Sequence, residues 1–113
     1  MERLNEFLKL ASNEDRFRMI VLLYQEELCV CHITGILGLS QPTVSKNITK
    51  FRDTKFVESR HDGKFIYYSF KPKEDQIANF LSNIVKNINN YPSLMSDSIK
   101  LANKDNYMVS CSR

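Results

Sequence analysis

The sequence predicts a mainly α-helical domain carrying one β-hairpin, and three observations predict it. Apolar residues recur at helical spacing through most of the chain. A glycine stop at Gly38 is followed almost at once by a serine cap at Ser40, which sets two helices close together across a tight turn. From Val57 to Phe70 the period changes to that of strands, around an Asp62-Gly63 pair. At 113 residues, 42% hydrophobic and 26% charged, the chain reads as one domain over residues 1–104, with 105–113 as a C-terminal tail of no firm pattern.

Leu4, Phe7, Leu8 and Ala11 place a first helix at residues 2–11. Ser12-Asn13-Glu14-Asp15 fits a capping box, with Ser12 as the cap and Asp15 reaching back. Phe17, Ile20, Val21 and Tyr24 follow as the stripe of a second helix. Leu22 and Leu23 widen it, which implies burial on more than one side. A short third helix takes residues 30–37, with Val30, Ile33, Ile36 and Leu37 apolar and Gly38 as its left-handed stop. Ser40 caps a fourth helix with Pro42 in its first turn, where the missing N–H costs nothing. Val44, Ile48 and Phe51 form its inward face; Gln41, Thr43, Ser45, Lys46, Asn47 and Lys50 are left for the outward one.

Residues 57–60 and 65–70 then make a hairpin with Arg60, His61 and Lys64 at its tip and Ile66, Tyr68 and Phe70 on one side. The whole is the pattern of a winged helix-turn-helix with five to six helices. Ile77, Phe80, Leu81, Ile84, Val85 and Ile88 mark a fifth helix whose apolar face exceeds what so small a domain covers, which predicts a homodimer. Leu94, Met95, Ile99 and Ala102 permit a sixth.

Net charge is a modest +3, but residues 40–71 hold seven basic side chains against three acidic ones. A basic segment in an otherwise neutral chain suggests an anionic partner on one face. In this fold the fourth helix enters the major groove. Gln41, Thr43 and Ser45 suit base edges, Lys46 and Lys50 suit phosphate, and Arg60, His61 and Lys64 suit the backbone beside the wing. The expected partner is double-stranded DNA, and a dimer expects an inverted repeat. No Gly-rich phosphate loop, clustered acids or Ser/His/Asp constellation suggests an enzyme.

The longest apolar run, Met19 to Tyr24, is six residues, far short of a membrane span, and the first residues carry no apolar signal region. The expected place is the cytoplasm. Three cysteines there point to reduced thiols or metal ligands rather than a disulfide framework. Cys29 and Cys31 open the third helix, where N–H groups and the helix dipole favour a thiolate. Two residues apart do not share a helix face, so joint capture of one ion requires an irregular or unwinding first turn. Such a distortion would tilt the fourth helix. A thiol redox switch is an alternative signal at the same pair, and a protein-interaction module is an alternative use of the fold.

Glu27-Leu28-Cys29-Val30-Cys31-His32, followed by Leu39-Ser40-Gln41-Pro42-Thr43-Val44-Ser45-Lys46 and the wing Arg60-His61-Asp62-Gly63-Lys64, resembles the ArsR/SmtB family of metal-sensing repressors over residues 3–90. The resemblance implies a dimeric repressor that leaves its operator when As(III) binds Cys29 and Cys31, with Sb(III) or methylated As(III) as other inducers. Arsenic-sensing members usually read Cys-Val-Cys-Asp-Leu-Cys; here His32 stands at the acidic position and Thr34 at the third thiol. Cys111 is the only other thiol for a three-sulfur site. The fifth helix lacks the histidines that the family's zinc and nickel sensors carry there.

Overall fold

The computed structural model describes residues 2–108. Its elements are α1 (Glu2–Ala11), α2 (Glu14–Gln25), α3 (Val30–Leu37), α4 (Gln41–Asp53), β1 (Val57–Asp62), β2 (Phe65–Phe70), α5 (Asp75–Lys86) and α6 (Pro92–Ala102). Single 3-10 turns follow α5 at Ile88–Asn90 and α6 at Lys104–Asn106. This is the winged helix-turn-helix that the sequence predicts. None of these helices is long and apolar enough to cross a membrane.

α2 is the central post. Met19, Ile20, Val21, Leu22 and Leu23 are all buried, because α1, α5, α6 and β2 pack around it. At one end of the core four phenylalanines close on each other. Phe56 and Phe70 stack at 5.4 Å, Phe51 meets Phe70 edge-on at 5.8 Å, and Phe7 meets Phe56 edge-on at 6.1 Å. Burying each such ring contributes about 1.5–3 kcal/mol. This cluster fixes the wing's root against α1 and α4. The guanidinium of Arg3 lies 3.9 Å over the Phe56 ring and donates to the Thr54 carbonyl, which ties the end of α4 to α1.

Across the other side, Arg18 of α2 makes a two-pronged contact with Asp97 of α6, at 2.9 and 2.8 Å. Asp97 is almost wholly buried. Its hydrogen bond is the largest influence on the Arg18 guanidinium, whose pKa is raised. The pair seats α6, and α6 in turn delivers the 104–106 turn to α3.

Two local readings change. α2 is capped one residue later than expected: the Asn13 side chain accepts from Arg16 N–H at 3.0 Å, while the Ser12 hydroxyl donates back to the Lys9 carbonyl. The wing's loop is Gly63-Lys64 rather than Asp62-Gly63, since Asp62 pairs with Phe65. Gly63 takes φ 61 at the first loop position, the conformation that a type II′ turn demands and that glycine reaches without strain.

Candidate sensing site and nucleic-acid interface

Cys29 is the residue just before α3, with extended backbone (φ −87, ψ 168), and Cys31 lies in the first turn. The pair therefore straddles the helix boundary rather than lying within a regular turn. Each cysteine is only 3% exposed. Cys29 is a free thiol, whereas Cys31 is disulfide-bonded. Cys111, the third candidate ligand, lies outside the described residues.

Three long-range ties hold this corner. First, Leu28 pairs with Tyr68 of β2, with Leu28 N–H donating to the Tyr68 carbonyl at 2.9 Å and Tyr68 N–H returning at 2.8 Å. The residue ahead of Cys29 is thus a one-residue third strand of the wing. Second, Glu27 receives both prongs of Arg60, at 3.1 and 2.6 Å. Arg60 also lies 4.8 Å over Tyr67. Its hydrogen bond is the chief reason that the Glu27 carboxyl titrates below its ordinary range, and the Arg60 pKa is raised in return.

The third tie runs from the end of the described chain. Lys104 binds Glu26, which is the main cause of its raised pKa. Asp105 accepts from His32 Nε2 at 3.0 Å. Gly35 lies so close to the Tyr107 carbonyl that a Cβ there would sit 1.4 Å from its oxygen. Without a side chain at position 35, the 104–107 segment rests directly on α3.

His32 connects these parts. Its Nδ1 lies 3.2 Å from Cys29 Sγ and accepts the Cys29 backbone N–H at 3.4 Å. The ring itself is 2% exposed. The sequence carries a faint sign of this, since positions 29 and 32 share a helix face. Asp105 has none, because nothing local relates it to α3. At Thr34, the position of the family's third thiol, a hydroxyl is buried with no hydrogen-bond partner. Among the described residues no three His, Cys, Asp or Glu side chains converge as a metal cluster.

The reading helix is simpler. Gly38 takes φ 68, and its N–H closes α3 on the Thr34 carbonyl. A Cβ at Gly38 would meet nothing, so the conformation alone calls for glycine. The Ser40 hydroxyl caps Thr43 N–H at 3.3 Å and contacts its side chain at 2.9 Å. Gln41 is exposed and donates to Ser45 Oγ at 2.9 Å. Lys46 and Lys50 are exposed; Thr43 and Ser45 are half-buried. Asn47, expected on the outward face, is buried, with its amide 3.8 Å from Met19 Sδ. It packs against α2 because position 47 lies next to the inward Phe51 on the helix wheel, at the flank of the buried face. On the wing His61 and Lys64 are exposed, with the Lys64 ammonium 5.7 Å from the Phe65 ring.

A profile of the bacterial regulatory protein, arsR family, matches residues 13–59. An arsenical resistance operon repressor of Staphylococcus aureus is 30% identical over 88 residues, which are 78% of this chain and 79% of that one. The arsenic resistance transcriptional regulator ArsR1 of Pseudomonas putida is 36% identical over 69 residues, covering 60% of this chain and 54% of its own. The cadmium resistance regulator CadC of Listeria innocua is 36% identical over 66 residues, covering 58% and 56%. The match thus spans little more than half the length of these last two relatives. Among solved structures, HlyU from Vibrio cholerae superposes with a TM-score of 0.67 at 21% identity, over 75% of this chain and 90% of its own. That likeness is one of fold.

Proposed function

The chain belongs to the arsR family of bacterial regulatory proteins, and from that premise we propose that it is a cytoplasmic, dimeric transcriptional repressor that leaves operator DNA when As(III) binds the reduced thiols of Cys29 and Cys31. The observation that carries this reading is the seam at Leu28. The residue next to Cys29 is backbone-bonded to Tyr68 of the wing, and α3 runs straight into the turn that aims α4. A displacement at the thiols therefore reaches both DNA-facing elements within one short helix. Couplings of about 1–3 kcal/mol, roughly 5–150-fold in affinity, are usual between such sites.

Inorganic arsenite is the favoured inducer, in keeping with the arsenic regulators among the relatives. Two thiols fully serve a methylated As(III); arsenite or Sb(III) takes a third group, for which Cys111 or a retained hydroxide is the proposed donor. The thiols are soft donors that suit such ions. Gln41, Thr43 and Ser45 read bases, Lys46 and Lys50 hold phosphate, and Arg60, His61 and Lys64 follow the adjacent backbone. Dimerisation uses the face where Leu4, Leu8 and Phe80 are 38%, 53% and 45% exposed. Two reading heads then address an inverted repeat.

The test is operator affinity with and without arsenite under reducing conditions, in wild type and in Cys31→Ser. Wild type releases DNA and the variant does not; release by the variant would put the site elsewhere. Lys46→Ala weakens all DNA binding and lowers the salt slope by about 1.8 per dimer, one phosphate contact from each head. The disulfide at Cys31 favours one second reading, a thiol redox switch at the same corner. Mass spectrometry after arsenite or peroxide treatment separates the two.

A further inference from the structure

Arg60 stands among the wing cations proposed for DNA, yet protein groups already hold it from two sides. We propose that Glu27 is a positioning residue for that contact: it takes one edge of the Arg60 guanidinium and presents the next edge to an operator phosphate, so that a side chain two residues from Cys29 aims a DNA-binding group. The inference rests on the operator reading above and deepens its regulation.

The donor count comes first. A guanidinium carries five N–H bonds in a planar fork. Glu27 takes one from Nε at 3.1 Å and one from Nη2 at 2.6 Å. The rest, the second on Nη2 and both on Nη1, lie along the adjacent edge of the fork. That edge matches two phosphate oxygens as well as it matches two of a carboxylate. Asp62 Oδ2 stands 3.9 Å from Nη1, too far for a hydrogen bond, on a side chain that is 68% exposed.

Order comes next. The guanidinium lies 4.8 Å over the ring of Tyr67, which is also the partner of Arg60 across the hairpin. One face is held by the ring and one edge by the carboxylate. Arginine has more rotamer freedom to lose than most side chains. Here much of it is given up before DNA arrives, and a preorganised group binds with less to lose. The Glu27 charge opposes a phosphate, but its side chain is 42% exposed, and water and salt screen repulsion between exposed charges a guanidinium's width apart. Positioning therefore outweighs repulsion.

The two supports of Arg60 are also tied to each other. Leu28, next to Glu27, is bonded in both directions through its backbone to Tyr68, next to Tyr67. Glu27 and Tyr67 thus keep station together across one backbone-bonded pair. A shift at Cys29 that pulls residue 27 turns the fork off its phosphate without any change in α4.

The test is operator affinity of the full, reduced chain across a range of salt, in wild type, Arg60→Ala, Glu27→Asp and the double variant. Glu27→Asp keeps the charge and shortens the reach by a methylene. Arg60→Ala should weaken binding about tenfold and lower the salt slope by about 1.8 per dimer. Glu27→Asp should weaken binding about three- to tenfold when Arg60 is present, and change it less than about twofold in the Arg60→Ala background. A carboxylate that merely steadies the domain would lower the melting temperature and weaken binding equally in both backgrounds. Equal weakening, an unchanged slope in Arg60→Ala, or Glu27→Asp binding as tightly as wild type or tighter overturns the proposal. Should Arg60→Ala not fold, Arg60→Gln takes its place. Arsenite forms a separate arm. The expected pattern in a wild type that arsenite cannot release sinks the arsenic reading alone; a failed pattern in a wild type that arsenite does release sinks the positioning role alone.

Discussion

Ser40 and Cys29 occupy the same place at the starts of two successive helices, and the two starts are held differently. At α4 the ties are local: Ser40 to Thr43 and Gln41 to Ser45. At α3 one tie is local, between Cys29 and His32, and the others are remote: Leu28 to Tyr68, Glu27 to Arg60, His32 to Asp105, and Gly35 against Tyr107. A helix start capped by its own neighbours keeps its shape whatever the rest of the domain does. One assembled from the wing and the chain's last turn reports on both. The first is suited to reading a fixed surface, the second to receiving a signal.

Breaking the remote ties should hurt most. Asp97→Ala leaves Arg18 unpaired and unseats α6, which carries the 104–106 turn. Loss of one partner of a buried pair commonly costs 3–5 kcal/mol; Arg18 is 21% exposed and can recover some hydration, so about 2–3 kcal/mol is expected in urea denaturation. Amide exchange should speed up around residues 29–32 more than around 43–45. Equal acceleration at both starts would erase the contrast between them.

Gly35→Ala pushes a methyl into the Tyr107 carbonyl. The segment must lift from α3, for about 1–3 kcal/mol. Faster proteolysis after residue 103 is the sharper readout; an unchanged cleavage rate would mean that this contact holds nothing. Ser40→Ala removes a local cap and should cost about 1 kcal/mol, with Cys29 alkylation unchanged. A change in Cys29 reactivity there would show that the two starts are not independent.

Acid should act least. The Glu27 carboxyl is held below its ordinary range, chiefly by the hydrogen bond from Arg60. What the pair contributes is therefore present above the ordinary carboxylate range and is lost as pH falls through the lowered value. Acidification past that range should free Arg60, seen in the NMR signal of its Nε–H, and Glu27→Gln should free it at every pH. An Arg60 signal in Glu27→Gln identical to wild type at neutral pH would remove the wing from the tethered set.

Much of this molecule is legible in order along the chain. Gly38, Ser40 and Pro42 announce the helix-turn-helix because each acts on backbone a few residues away. The β-period and glycine announce the wing for the same reason, though the turn sits one residue later than Asp-Gly suggests. Asn47 reads as an outward amide and is buried, since its fate depends on where α2 passes. Cys29 and Cys31 stand out by type and spacing and read as the start of a helix, yet the place of His32's ring between Cys29 and Asp105 depends on where α6 ends.

The sequence by itself determined the order of helices and hairpin, the capped reading helix and the thiols ahead of it, because those are set by backbone preference and side-chain period within a turn or two. Only the tertiary structure decided which charges are taken, that Leu28 joins the wing, and that residues 104–107 lie on α3. Those contacts join residues some 30 to 80 positions apart, where closing the chain is governed by the packing of α2 and α6 and leaves no periodic trace in the residues that meet.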